Sequence, residues 1–183
     1  PEGRWLQLPT AVPRLDGPQW RVPFYGMLAA GVAAVAVGLL NGAVDRFAEI
    51  AVARKPEGSG RTLSERASGQ TVLSSTEATA RSSLAFLHDV LGEAWETARA
   101  GDPLTVEHRR SLRLAACDAA QRCADALGHL QREAGGSAVY LREPLQRMVR
   151  DGQVAATHAM VAPRIRELTG RLRLGLDTDT ALL

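Results

Sequence analysis

Lysine and aromatic residues are scarce in this chain of 183 residues. Lys55 is the only lysine among 22 basic Lys and Arg residues, and aromatic residues make up 4% of the chain. The arginines are interleaved with 20 acidic residues, so the formal net charge is only +2 and no basic stripe forms. A nucleic-acid-binding surface needs clustered positive charge, and we therefore expect no nucleic-acid partner.

Motifs for metal binding, nucleotide binding and nucleophilic catalysis are absent as well. The chain contains no GxGxxG turn, P-loop, HExxH pair or nucleophile elbow. Cys117 and Cys123 are six residues apart, which suits neither a CxxC redox pair nor a metal clip. Reduced thiols are the simplest interpretation. No two histidines have the i,i+4 spacing of a helical metal site, and we predict no metal.

Alanine and leucine dominate what is present. The hydrophobic fraction is 45% and strand-forming residues are few, which predicts helices. A short helix is expected near 143–150, and longer helical patterns cover about 27–54, 70–100, 105–133 and 152–173. Because long helices with short connections form up-down bundles, we predict an all-α fold with an up-down four-helix bundle over residues 26–175. A C-terminal tail would follow over residues 176–183.

Two of these segments carry apolar stripes at helical spacing, which predict the faces that pack on the bundle core. In the second segment the predicted stripe is Leu84, Leu87, Leu91, Trp95 and Ala98. In the third segment it is Leu112, Ala115, Ala119, Cys123, Ala126 and Leu130. Thr105 is the predicted N-cap of the third helix, because its hydroxyl oxygen can accept a hydrogen bond from the first turn.

The first helical segment is the least polar part of the chain. Residues 26–44 form a run of 19 residues without a charge, which is long enough to cross a bilayer. The run is mostly alanine and glycine, which gain little from lipid, and Asn41 interrupts it. We therefore predict a central helix that is buried on all sides in a bundle or an oligomer. We expect no membrane contact and a cytoplasmic location.

The first 25 residues differ in composition from the rest. They hold five of the nine prolines and two of the three tryptophans, and the chain begins without methionine. The segments 5–8 and 19–22 have the character of short strands. We expect residues 1–25 to be the tail and linker of a preceding β-domain, which makes the chain a fragment of a longer protein. A processed or tagged N-terminus is the alternative.

His158 has an unusual position in an alanine-rich stretch. It belongs to a series whose spacing alternates between four and three: Val154, His158, Val161, Ile165, Leu168 and Leu172. This series predicts that the His158 side chain lies on the buried stripe of the last helix. A histidine there is either a satisfied core residue or a catalytic acid or base, because imidazole exchanges protons near neutral pH.

Two loops supply further candidates for ligand contact. Gly135 and Gly136 allow a tight turn with accessible amide N–H groups, which can bind a phosphate or a pyrophosphate by donating hydrogen bonds to it. Glycine also ends many ordinary helices, which is the alternative interpretation of this pair. Arg61 and Gln70 border the loop between the first two helices, and simple solvent exposure is the alternative interpretation for both.

Three stretches in a fixed order carry a family resemblance: AAGVAAVAVGLLNGAVDRF, REAGGSAVYLREPLQRMVRD and ATHAMVAPRIRELTGRLRLG. Together they resemble the C-terminal helical domain of the acyl-CoA dehydrogenase fold, over about residues 21–175. The resemblance is closest to the branch of two-component flavin-dependent monooxygenases, which includes the oxygenases of the 4-hydroxyphenylacetate and 3-HSA hydroxylases.

This resemblance implies a three-part chain, in which a helical domain and a β-domain precede the four-helix bundle. Flavin would lie between the β-domain and the bundle, and homotetramers would pack through the bundles. Most of the flavin site would then lie outside this chain, which would be inactive alone. The resemblance also implies that Arg61, Gln70, Gly135 and Gly136 contact the cofactor across a subunit boundary.

The catalytic base of the dehydrogenases is missing from its usual place. Acyl-CoA dehydrogenases of the common type are similar to one another in carrying the catalytic glutamate in a Tyr-Glu-Gly-Thr run, shortly after an Arg-Asp pair. Here no Asp or Glu lies between Asp151 and Glu167, and His158 stands in that place. In the monooxygenases that this chain resembles, that imidazole faces the flavin. The resemblance therefore implies His158 as the catalytic acid or base, or as a hydrogen-bond partner of the oxygenated flavin.

The activity implied is that of a flavin-dependent monooxygenase, which uses O2 and reduced FMN or FAD through a C4a-hydroperoxyflavin. A separate flavin reductase would supply the reduced flavin, and the substrate would be a small aromatic or related organic molecule. Two alternatives stay open. One is an acyl-CoA dehydrogenase proper, since some members place the base on the first helix. The other is a non-catalytic helical oligomerisation domain.

Overall fold

The computed structural model describes residues 14–181 and residue 183. These residues form five α-helices: α1 (Phe24–Ala53), α2 (Ala67–Ala100), α3 (Val106–Ala134), α4 (Pro144–Ala156) and α5 (Arg164–Arg173). Three short 3-10 helices lie in the connections: Pro18–Trp20, Leu63–Glu65 and Gly136–Val139. No strand occurs in the part of the chain that the structure describes, and the predicted all-helical fold class is confirmed.

Helix α3 is at the centre of the packing and contacts all four other helices. Its inner face consists largely of alanine, which lets the neighbouring helices approach closely. Every position of its predicted stripe is buried: Leu112, Ala115, Ala119, Cys123, Ala126 and Leu130. Phe47 of α1 and Leu145 of α4 are completely buried in the same apolar core. Burial of each such large side chain contributes about 1.5–3 kcal/mol relative to exposure.

Helices α1 and α3 run parallel, and α4 runs antiparallel to α1. Gly26 near the start of α1 lies against Leu112 near the start of α3, where an added Cβ would be 3.2 Å from Leu112 Cδ1. Glu143, just before α4, forms a bidentate pair with Arg46 near the end of α1, at N–O distances of 2.7 and 2.8 Å. This pair fixes the start of α4 to the end of α1.

The predicted cap of the third helix is confirmed. Thr105 Oγ1 accepts a hydrogen bond from the backbone N–H of His108 at 3.2 Å. In return, His108 Nδ1 accepts one from the backbone N–H of Thr105 at 3.3 Å. Two donors that would lack partners at a bare helix start are thus satisfied within one turn.

The predicted stripe of the second helix is partly wrong. Leu87 and Ala98 are buried, but Trp95 is 41% exposed. The face that packs on the core consists mainly of smaller residues: Thr76, Ala80, Ser83, Leu87, Val90, Ala94 and Ala98. The predicted stripe followed the largest side chains, whereas close packing between helices selects small residues for the contact line.

The prediction of one long helix over 152–173 is also wrong, because the end of α4, a turn and α5 occupy these residues. Helix α4 ends at Ala156, residues 157–163 form a turn, and α5 starts at Arg164. Pro163 explains the break, since proline has no N–H to donate and its ring clashes with the preceding turn of a helix. Within the turn, the N–H of Val161 donates to the carbonyl of His158 at 2.9 Å.

Helix α1 is buried on one side only in the single chain, so the bundle does not cover it on all sides. The predicted burial in an oligomer stays a prediction. Met27 is 46% exposed and Val35 is 57% exposed. By length and composition α1 could cross a membrane: an 18-residue window has a mean hydropathy of 2.0, and 39% of that window is buried. Core helices of soluble proteins also meet this criterion.

The predicted β-domain tail lies mostly outside the described residues, which begin at Arg14. The strand expected over 19–22 is wrong, because a 3-10 helix occupies Pro18–Trp20. Val22 is buried, and Arg21 Nη1 donates to the carbonyl of Ala98 at 3.0 Å. These contacts attach the segment before α1 to the end of α2.

Candidate functional site

His158 lies in the turn between α4 and α5, and its side chain is exposed. The prediction that it sits on a buried helical stripe is therefore wrong. Its Nδ1 accepts a hydrogen bond from the backbone N–H of Met160 at 3.2 Å. Because Nδ1 acts as the acceptor, the neutral imidazole carries its proton on Nε2. The ring is thus held at Nδ1 and presents an N–H donor at Nε2.

Contacts with α3 hold this turn in place. The side-chain amide of Gln121 donates from Nε2 to the carbonyls of Ala156 at 2.7 Å and Val161 at 3.0 Å. The Val161 side chain is completely buried. Cys117 Sγ lies 3.5 Å from the carbonyl of Ala162. The backbone that presents His158 is therefore anchored before and after the histidine. Gln121 has a positioning role that its sequence context did not indicate.

The glycine turn after α3 adopts a conformation that needs glycine. Gly135 has φ 72° and ψ −168°, a region that residues with a side chain essentially do not occupy. Its N–H donates to the carbonyls of Gln131 and Arg132, at 3.1 and 3.2 Å. Gly136 then begins a 3-10 helix. This confirms the predicted turn. The predicted accessible amide is wrong for Gly135, because its N–H is already bonded to the end of α3, and contact with a cofactor stays a prediction.

Arg54, at the end of α1, lies directly beside this turn. A Cβ added to Gly135 would be 3.5 Å from both Nη1 and Nη2 of Arg54. Nη1 is buried and has no hydrogen-bond partner among the described residues. Arg54 also lines an open surface cavity of about 580 Å³ together with Arg46 and Lys55. Since Arg54 and Gly135 lie far apart in the chain, the sequence carried no signal for this contact.

Arg61 and Gln70 are exposed, as the alternative interpretation of both residues expected. Gln70 Nε2 donates to the carbonyl of Ser64 at 2.9 Å. Close to Gln70, Ser68 Oγ donates to Glu133 Oε1 at 2.6 Å. This bond joins the start of α2 to the end of α3, so Gln70 lies at the same end of the domain as the glycine turn.

The structure does not bring His158 to this cluster. The glycine turn precedes α4 and His158 follows it, and the 13 residues of α4 span about 20 Å. The predicted site residues thus form two separate groups. One is the glycine turn with Gln70 at the start of α2, and the other is the turn that presents His158. Arg54, which was not predicted, lies beside the first group.

The cysteines are free and buried, in agreement with the predicted reduced thiols. Burial raises the pKa of Cys123 to about 11 and also raises that of Cys117. Thiols that remain protonated at neutral pH are poor nucleophiles and poor metal ligands. Among the residues that the structure describes, no group of three or more His, Cys, Asp and Glu side chains is placed to hold a metal ion.

Comparison with known proteins gives a family match over most of the chain. Residues 30–163 match the family of the acyl-CoA dehydrogenase C-terminal domain. Indole-3-acetate monooxygenase from Pseudomonas putida is 29% identical over 172 residues, which cover 94% of this chain and 44% of that protein. Pigment production hydroxylase from Rhodococcus sp. is 29% identical over 169 residues, which cover 91% of this chain and 43% of that protein. The chain thus spans somewhat less than half the length of these relatives.

Solved structures show the same fold. 3-HSA hydroxylase from Rhodococcus sp. RHA1 superposes with a TM-score of 0.84 at 21% identity, over 93% of this chain and 44% of that one. XiaF from Streptomyces sp., solved in complex with FADH2 and glycerol, superposes with a TM-score of 0.83 at 24% identity. The match covers 88% of this chain and 41% of that one. The resemblance that the three sequence stretches indicated is confirmed.

Proposed function

Because this chain belongs to the acyl-CoA dehydrogenase C-terminal domain family, we propose that it is the C-terminal part of a flavin-dependent monooxygenase. The whole enzyme would hydroxylate a small aromatic or related organic molecule. The observation that carries this proposal is the exposed imidazole of His158, on an anchored turn where the dehydrogenases place a carboxylate. Relatives with the names monooxygenase and hydroxylase support it.

The glycine turn fits the phosphate of a flavin. Gly135 leaves free the space that a side chain would fill, and Arg54 offers a buried Nη1 without a partner among the described residues. Guanidinium groups and glycine turns are common partners of phosphate oxygens. Gly135, Gly136 and Arg54 would therefore hold the phosphate, with Arg61 and Gln70 nearby, whether the cofactor is FMN or FAD. When bound, reduced flavin supplies the electrons that activate O2.

His158 would donate a hydrogen bond from its Nε2–H to an oxygen of the substrate or of the oxidant. The N–H of Met160 donates to Nδ1 and keeps the ring oriented. When the ring acts as a base, the proton would go to Nδ1 and this hydrogen bond would be given up. Proton transfer from a substrate hydroxyl or to an oxygen leaving group typically accelerates a reaction by about 10² to 10⁴. The exposed position of the ring suits a group that faces a domain outside this chain.

Assembly and partners follow from the same proposal. A separate flavin reductase would supply the reduced cofactor in the cytoplasm. Helices α1–α4 would form the up-down four-helix bundle of the family, after a β-domain. The outer face of α1 would pack in a homotetramer, since it exposes large apolar side chains that water disfavours: Phe24, Met27, Leu28, Val35 and Val52.

Replacement of His158 by alanine in the full-length enzyme tests the catalytic role. We expect product formation to fall by about 10² to 10⁴ relative to wild type, with more of the consumed O2 released as hydrogen peroxide. The measurement is product formed per O2 consumed, with an external reductase. His129→Ala, at an exposed position of α3, is the matched control and should leave this ratio unchanged.

Unchanged coupling in His158→Ala would contradict the proposed role of the imidazole. Reduction of the bound flavin by an acyl-CoA, without O2 or reductase, would instead identify a dehydrogenase. A full-length protein that binds no flavin but forms stable oligomers would identify an assembly domain.

A further inference from the structure

Met160 follows His158 by two residues and contacts both the histidine and a buried arginine. Its backbone N–H donates to His158 Nδ1 at 3.2 Å. Its Sδ lies 3.2 Å from Nη1 of Arg113, which also donates to the carbonyl of Tyr25 at 3.2 Å. The side chain and the backbone of one methionine thus connect the guanidinium to the ring that the turn presents.

Arg113 has too few hydrogen-bond acceptors around it. It is completely buried, and its Nε and Nη2 have no partner among the described residues. The thioether that Nη1 faces is only a weak acceptor. Because an unpaired buried charge is costly, such donors are nearly always paired. An oxygen atom on the sulfur of Met160 would supply a strong acceptor at Nη1, and no ligand would have to reach the guanidinium from solvent.

Met160 is placed where a small oxidant can reach it. The residue is partly exposed, and it lines an open cavity of about 290 Å³ between α3, the 157–163 turn and α5. Hydrogen peroxide is little larger than a water molecule, which occupies about 30 Å³ in the liquid. Oxidation of methionine to its sulfoxide turns an apolar side chain into a polar one, and methionine sulfoxide reductases reverse it.

We propose that Met160 is a peroxide-sensitive modification site, whose sulfoxide is held by Arg113 and displaces the turn that carries His158. The sulfur lone pair attacks one oxygen of hydrogen peroxide and the O–O bond breaks. The thioether loses two electrons and becomes a sulfoxide. The other oxygen of the peroxide takes up the proton of the transferred oxygen and leaves as water.

The sulfoxide would change the geometry of the turn. Nη1 of Arg113 would donate to the new oxygen, as a charged donor to a strong acceptor. The present 3.2 Å between Sδ and Nη1 is already the length of one hydrogen bond, so the sulfur must move away to make room for the oxygen. The backbone N–H of Met160 would move with it and change its hydrogen bond to His158 Nδ1.

The enzyme itself would supply the oxidant. A monooxygenase that consumes O2 without forming product releases hydrogen peroxide, so this source rests on the function proposed above. The modification does not, because peroxide from any source would serve. If both hold, Met160 sulfoxide should lower product formed per O2 consumed several-fold, and methionine sulfoxide reductase should restore it.

Hydrogen peroxide added to the full-length protein, without substrate or reductase, tests the site. Peptide mass spectrometry measures the sulfoxide at each methionine, and NMR records the ring signals of His158. We expect oxidation of Met160 to shift the His158 signals, and the reductase to reverse both changes. Met160→Leu should abolish the shift. Met148→Leu is the matched control and should keep it, because Met148 is also partly buried but its Sδ would lie 3.7 Å from a Cβ added to Gly42 of α1.

The role of Arg113 has a separate readout. In wild type the new oxygen is paired, and oxidation of Met160 should leave Tm nearly unchanged. In Arg113→Met the same oxygen is unpaired, and oxidation should lower Tm by several degrees. Should Arg113→Met fail to fold, Met160→Gln serves instead. Its side-chain carbonyl offers Arg113 an oxygen without peroxide, so it should shift the His158 signals in the direction that oxidation does.

Three results would overturn the proposal. The first is no sulfoxide at Met160 after a peroxide dose that fully oxidises Met27, which is 46% exposed. The second is sulfoxide at Met160 with unchanged His158 signals. The third is an undiminished shift in Met160→Leu. If His158→Ala leaves coupling unchanged while peroxide still shifts the His158 signals of wild type, the modification site stands and the proposed catalytic role fails.

Discussion

The two ends of α4 present functional groups in opposite ways. Before the helix, the turn at Gly135 has space because a side chain is absent, and Arg54 reaches it from α1. After the helix, the 157–163 turn presents His158 on a backbone that Gln121 and Val161 fix to α3. The first end suits a group that is bound from outside. The second end suits a side chain that must keep one orientation.

This difference shows that backbone restraint comes from different sources at the two ends. The glycine turn depends on a local conformation that only glycine adopts readily. The histidine turn depends on tertiary hydrogen bonds from a residue of another helix. Substitutions at the two ends should therefore lower stability by different amounts and for different reasons.

The largest effect is expected from Gln121→Leu. This change removes both hydrogen bonds from Gln121 Nε2 and leaves the carbonyls of Ala156 and Val161 without their partner. Since each unsatisfied group costs about 1–3 kcal/mol, we expect the free energy of unfolding to fall by about 2–4 kcal/mol. Urea denaturation measures it. The control Gln153→Leu removes one bond, to the Ala124 carbonyl, and should cost about 1 kcal/mol. Equal costs would show that Gln121 does not anchor the turn.

Gly135→Ala should have the next largest effect. At φ 72° and ψ −168°, a residue with a side chain is strained by about 1–3 kcal/mol. Gly136→Ala is the matched control, because an added Cβ would meet nothing within 4 Å there, and it should be close to neutral. Thermal unfolding compares the two variants. Similar Tm values would show that the turn tolerates another conformation.

The smallest effect is expected at the start of α4, from Glu143→Gln. Hydrogen bonds from Arg46, and to a lesser extent from the N–H of Leu145, lower the Glu143 pKa from its usual 4.5. A lowered folded-state pKa means that the pair stabilises the protein above about pH 4.5 and loses this contribution as the pH falls further. We expect a cost of about 1 kcal/mol near neutral pH, because Arg46 is partly exposed.

The difference between wild type and Glu143→Gln should therefore shrink on acidification. Urea unfolding of both proteins at neutral pH and below pH 4 measures it. If the difference in unfolding free energy between wild type and Glu143→Gln grew at low pH, the pair would not stabilise the folded state.

Local signals in the sequence were sufficient for much of the fold. The cap at Thr105, the stripe of α3 and the glycine turn each depend on neighbouring residues, and all three were predicted correctly. Pro163 was an equally local signal for the break between α4 and α5, and an apolar series running through it gave the wrong location for His158. Periodicity alone therefore does not establish a helix where a proline interrupts it.

Tertiary contacts of the candidate sites could not be predicted in this way. Arg54 approaches Gly135 only because α1 and α3 run parallel over their full lengths. Arg113 looks like an ordinary polar residue in the sequence. It is completely buried, and its contacts are with Tyr25 at the start of α1 and Met160 of the 157–163 turn. The family resemblance led to the proposed function, but it did not indicate either arginine.

Lys55 is exposed and lines the same surface cavity as Arg54. Since it is the only lysine of this chain, an amine-reactive fluorophore would modify a single side chain of the domain, next to the glycine turn. The scarcity of lysine thus provides an attachment point for an optical reporter, whose emission would respond when an anion arrives at that end of α4.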